Sequence, residues 1–130
     1  GMVVLYETVP WWDHLTHLLS GTLVAGTSYA TVRAIDEYSQ AVHLPSPYLG
    51  LFVLLVTLAA GVAWETLEMA GRELAWALSL DPLLIVYGIE DTMLDLVFDG
   101  LGGLVVATLG LPRFQGTTVY LRQYLDRERP

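Results

Sequence analysis

Three runs of about 20 mostly apolar residues divide this chain, the length an α-helix needs to cross a hydrocarbon core of roughly 30 Å. The first runs from Leu15 to Val32 and is closed by Arg33, Asp36 and Glu37. The second runs from Tyr48 to about Ala70, after the breaker sequence His43-Leu-Pro-Ser-Pro47. Its opening stretch, Leu49 to Trp64, contains no charge. The third begins near Asp91 and ends at Leu111, where Pro112 stops it. Hydrophobic residues fill 54 % of positions and charged ones only 15 %, a balance that favours a membrane protein over a soluble helical bundle. The pattern predicts an all-α fold: one integral membrane domain over 1–130, with transmembrane helices at about 11–33, 48–70 and 91–111.

The connections follow from what is too short or too polar to span. Arg72 to Gly88 reads as an interfacial or re-entrant segment between the second and third spans. Residues 112–130 form a short polar tail, in which Tyr120-Leu-Arg-Gln-Tyr-Leu is suited to an amphipathic surface helix. The tail holds four of the six arginines (Arg113, Arg122, Arg127 and Arg129), and three spans place it beside the loop that begins at Arg33. Only Arg72 lies on the other side, so the tail is expected in the cytoplasm of a multi-pass plasma-membrane protein. Gly1 before Met2 suggests a tag remnant or a fragment of a longer chain, and no cleavable signal peptide is visible. A net charge of −8 without lysine resembles adaptation to high salt, or the bias of a GC-rich genome. No basic patch exists for nucleic acid, and the absence of cysteine excludes disulfides and thiolate chemistry.

The acids and histidines stand where hydrocarbon-like surroundings make charge expensive. They form three clusters: Asp13, His14 and His17; Glu65 and Glu68; and Glu90, Asp91, Asp95 and Asp99, with Glu73 just past the second. Such groups pair, bind a cation or line a wet cavity. The topology brings all three clusters to one half of the membrane, whichever way the protein is oriented. Asp13 and His17 are four apart, His14 and His17 three apart, and Glu65 and Glu68 three apart; Asp91, Asp95 and Asp99 form a stripe on one helix face.

Carboxylates and imidazoles at these spacings on adjacent helices are how helical bundles build metal sites. The candidate metal ligands are therefore Asp13, His14, His17, Glu65, Glu68, Asp91, Asp95 and Asp99, with His17, Glu65, Glu68, Asp95 and Asp99 as the core. A divalent ion such as zinc, manganese or iron(II) suits the set, and calcium or magnesium suits it if the histidines do not ligate. Plainer readings account for some of these residues. Asp13 fits a helix N-cap, Glu68 with Arg72 a helix-end ion pair, and Glu90 with Asp91 the first turn of the third helix. A network of shared protons that locks the helices together is the other reading of the whole. Three helices look too few to enclose the cluster, so a homo-oligomer or further upstream helices are expected.

The motifs Trp11-Trp-Asp-His-Leu-Thr-His17, Trp64-Glu-Thr-Leu-Glu68 and Tyr87-Gly-Ile-Glu-Asp-Thr-Met-Leu-Asp-Leu-Val-Phe-Asp99 resemble those of a family of uncharacterised haloarchaeal integral membrane proteins. More distantly, they are similar to the YjdF-like bacterial inner-membrane proteins. The shared pattern is D-x-x-x-H, then E-x-x-E, then a run ending D-x-x-x-D; Asp91 departs from the bacterial spacing by one residue. The resemblance covers about residues 6 to 110 and implies a membrane fold with further spans upstream, without implying an activity. Two functions follow from the residues: a membrane metalloprotein, in the extreme an enzyme acting on a lipid-like substrate, or a non-catalytic transport or scaffold subunit.

Overall fold

A computed structural model of the chain describes residues 8–9, 11–39, 41, 44–81 and 88–110. Three helices account for most of them, and no strand occurs among the described residues. They are α1 (Trp12–Tyr38), α2 (Ser46–Ala77) and α3 (Ile89–Val105), the last continued by a π-helical turn, Val106–Gly110.

Each helix begins and ends where the sequence gives a physical reason. Asp13 lies inside the first turn of α1, where the dipole favours negative charge; the cap itself is Trp11, so the N-cap expectation for Asp13 is corrected. At its far end α1 runs through Arg33, Asp36 and Glu37 to Tyr38, beyond the expected boundary. Charges at helical spacing do not stop a helix. Here Arg33 donates to Asp36 (3.1 Å) and pairs with Glu37 (3.6 Å), while the other Asp36 oxygen accepts the Leu44 amide (3.0 Å) and ties down the loop. Pro45 and Pro47 open α2, their fixed φ and missing N–H costing nothing there.

α2 does not stop at Ala70 but runs on to Ala77, so the first residues of the expected interfacial segment are its last turns. It closes with Ser79 in the left-handed region (φ 56°), the Leu80 amide bonding back to the Ala75 carbonyl (2.8 Å) and that of Ser79 to Trp76 (3.1 Å). Gly88, at φ 127°, turns the chain into α3 through a conformation open to glycine alone. The remainder of the connecting segment, residues 82–87, and the tail expected at 112–130 lie outside the described residues.

α2 and the continuous helix Ile89–Gly110 are long and apolar enough to cross a membrane. α1 is long enough at 27 residues but carries more polar groups. Its threonines satisfy themselves, with Thr22, Thr27 and Thr31 each donating to the carbonyl four residues back.

The buried residues follow one stripe per helix: His17, Gly21, Ala25 and Tyr29 on α1; Leu49, Val53, Thr57, Gly61 and Glu65 on α2; Asp95, Asp99, Gly102, Gly103 and Val106 on the third helix. Because α2 runs opposite to α1 and α3, the stripes align end to end. Charged groups gather at one end, glycines and Thr57 occupy the middle, and Ala25, Tyr29, Leu49, Val53 and Val106 pack at the other. The outside is the reverse of a soluble protein: Leu23 is 72 % exposed and Leu67 64 %, while Asp95 is 3 % exposed. Apolar residues outside and charges inside are what a lipid solvent selects.

Candidate functional site

His17 is the hub of the polar end. It is 6 % exposed and reaches carboxylates on all three helices. Its Nε2 lies 3.9 Å from Asp13 Oδ1, 3.7 Å from Glu65 Oε1 and 3.8 Å from Asp95 Oδ2. Its Nδ1 lies 3.3 Å from Asp99 Oδ2, within hydrogen-bond reach. The three Nε2 distances are too long for hydrogen bonds. They approach the separation of about 3.3–3.6 Å between two ligands on one tetrahedral ion with bonds of about 2.0–2.2 Å.

Two of these carboxylates have a partner for their second oxygen. Glu65 Oε2 accepts from the Thr92 hydroxyl (3.0 Å), and Asp95 Oδ1 is 2.9 Å from His14 Nδ1. The His14 ring in turn stacks on Phe98, with centroids 5.0 Å apart and planes 6° from parallel. Glu65 Oε1, by contrast, is buried without any hydrogen-bond partner. That orphaned atom is the one that faces His17 Nε2.

Close helix approach makes the arrangement possible. A Cβ on Gly21 would stand 2.7 Å from the Asp99 carbonyl oxygen, and one on Gly102 would stand 2.7 Å from the Leu18 carbonyl oxygen. At that crossing the backbones of α1 and α3 touch. A Cβ on Gly61 would collide with the Asp99 carboxylate itself.

Residues 1–116 match the family described as "Predicted membrane protein (DUF2238)". The chain belongs to this family. No curated protein and no solved structure matches it. Family membership and the inverted distribution of polarity agree on a helical membrane protein.

Within this family member, the structure brings together Asp13, His14, His17, Glu65, Asp95 and Asp99. Two groups have ligand atoms close enough to share an ion, Asp13 with His17 and Asp95, and His14 with Asp91 and Asp95, each within 4.8 Å. Glu65 meets the first group through His17. Glu68 sits one turn past Glu65, half-buried, and no ion pair joins it to His14 or His17 among the described residues. Arg72 pairs with Glu73 (3.7 Å) and lies over Trp76 (5.2 Å), as a membrane-interface anchor does. Glu90 is exposed at the start of α3.

Within this one chain His17, Glu65, Asp95 and Asp99 are all at most 6 % exposed. Sequence reasoning missed Thr92, Phe98 and Gly61. Thr92 stands three residues before Asp95 and Gly61 four before Glu65, so both share a face with an acid already singled out. Those spacings were the available signal.

Proposed function

We propose that this is a three-span membrane protein that holds a divalent metal cation at the polar end of its helix bundle. His17 Nε2, Asp13, Asp95 and Glu65 are its ligands. The reading rests on one observation: Glu65 Oε1 is buried, has no hydrogen-bond partner, and faces an imidazole nitrogen that two further carboxylates also approach. A cation offsets the cost of burying those carboxylates together and occupies the gap their distances leave. The mixed imidazole and carboxylate set suits zinc, manganese or iron(II). α1 spans the membrane with the others, because its threonines leave no unsatisfied hydroxyl donor facing lipid. Arginine distribution puts the C-terminal tail in the cytoplasm of a plasma membrane, and the lysine-free acidic composition fits the salt-loving archaeal origin that the sequence motifs suggest.

A bound ion there supplies Lewis acidity in the half of the bilayer reached from the Asp13 end, which is the chemistry of a membrane metalloenzyme acting on a lipid-like substrate. The alternative, a transport or scaffold subunit whose cluster only shares protons, is favoured by the short His14–Asp95 contact.

The test is metal analysis of protein purified in mild detergent without chelator and titrated with Zn²⁺. One ion per chain is expected, lost in His17→Ala and Glu65→Ala variants that keep their helical circular dichroism. Wild-type protein without stoichiometric metal would point to the proton-sharing reading instead.

A further inference from the structure

Resting on that reading, we infer that Asp99 is not a ligand but a positioning residue, which turns His17 so that Nε2 faces the ion. Asp99 Oδ2 is within hydrogen-bond reach of His17 Nδ1 and is 3.3 Å from it, whereas Asp13, Glu65 and Asp95 all approach Nε2. A carboxylate accepting from Nδ1–H fixes the tautomer in which Nε2 carries the free lone pair.

The same division holds around the cluster. His14 occupies the Asp95 oxygen that points away from His17, and Thr92 occupies the equivalent oxygen of Glu65. His17, Asp95 and Glu65 therefore each offer one atom inward and have the other atom held by an outer residue. Two helices clear the space for Asp99. Gly21 on α1 admits its backbone and Gly61 on α2 admits its carboxylate, since a Cβ at either position would overlap it. A carboxylate seated so deep, with its oxygen on the far side of the imidazole, buttresses the ring. The ion it favours is one that bonds well to imidazole nitrogen, zinc or another divalent transition ion, over magnesium or calcium.

The experiment compares wild type, Asp99→Asn, Gly61→Ala and Asp95→Ala in detergent, titrated with Zn²⁺ and, for its ligand-field spectrum, Co²⁺. Asp99→Asn keeps one site per chain but loses about 10–100-fold in Zn²⁺ affinity, the usual range for outer partners, with a shifted Co²⁺ spectrum. Gly61→Ala, which retains the carboxylate but displaces it, moves the same way by less. Asp95→Ala loses the site. An Asp99→Asn protein that binds as wild type does, or that loses the site as completely as Asp95→Ala, overturns the assignment.

One measurement needs no variant: the ¹⁵N shifts of His17 in the Zn²⁺-loaded wild type. Protonated Nδ1 with metal-bound Nε2 is expected, and the opposite tautomer overturns the inference. Wild-type protein that takes up no metal defeats the parent proposal instead, so the two failures are told apart.

Discussion

At the residue scale, the site depends on which atom of each side chain is already engaged. Thr92 shows this most simply, because its hydroxyl is the donor that Glu65 Oε2 has in the structure. Thr92→Val keeps the side-chain shape and removes that donor, so metal-free protein should lose about 1–2 kcal/mol of stability. Unfolding of the purified variant by SDS in mixed micelles measures it, and unchanged stability would mean that the contact contributes nothing. The sequence made the meeting of the three clusters legible, since spans of similar length running in alternate directions put Asp13, His17, Glu65 and Asp95 at one depth. It did not separate inner from outer residues. Spacing assigns a face of a helix but not a rotamer, and both Asp95 and Asp99 share the face of α3 that meets His17. Glu68 illustrates the same point: three residues from Glu65 is near enough to share a face, yet no ion pair joins it to either histidine among the described residues.

At the element scale, the crossing of α1 and α3 sets the geometry, and these two helices pack on each other more extensively than either does on α2. Glycine is needed at that crossing, as it is at Gly61 and Gly88, but not at every position in the bundle. A Cβ on Gly102 would stand 2.6 Å from the Thr22 amide nitrogen, while one on Gly26 meets nothing within 4 Å. Gly102→Ala should therefore destabilise the protein by about 1–3 kcal/mol. Gly26→Ala, on the same bundle but facing open space, should be neutral or slightly stabilising, because alanine is the better helix former. Equal effects from the two substitutions in the same SDS titration would show that the close crossing is unimportant. Four-residue spacing of small residues does not identify the crossing, since Gly26 with Ala30 has it as much as Gly21 with Ala25. Helix ends were misjudged where the boundary was placed at charge. Arg33 and Arg72 remain inside helices with acids paired beside them, whereas prolines open α2 and a left-handed Ser79 follows its end.

At the scale of the whole molecule, polarity is graded along the bundle. Asp13 and His14, with side chains 20 % and 21 % exposed, stand at the rim of the cluster. Beyond the glycine crossing, Ala25 and Val53 are completely buried, and Leu49 is 2 % exposed. On the proposed reading a cation is reached from the rim, because apolar side chains close the opposite end among the described residues. In proteoliposomes with sorted orientation, a membrane-impermeant chelator should strip Zn²⁺ from one face only, with no accumulation of the ion across the bilayer. Stripping from both faces, or measurable flux, would show a conducting pathway and favour the transport reading. The all-helical architecture followed from apolar run length alone. The gradient within it did not, because run length ignores which face of each helix is turned inward.

His17 and Asp99 are 82 residues apart in the chain, and Glu65 lies between them. During synthesis, α1 and α2 reach the membrane before their partners on α3 exist. The nascent protein thus carries a histidine and a glutamate whose Asp95, Asp99 and Thr92 contacts arrive only with α3. Until then those polar groups lack the partners that offset the cost of burying them. The cluster closes only when the two ends of this stretch of chain meet.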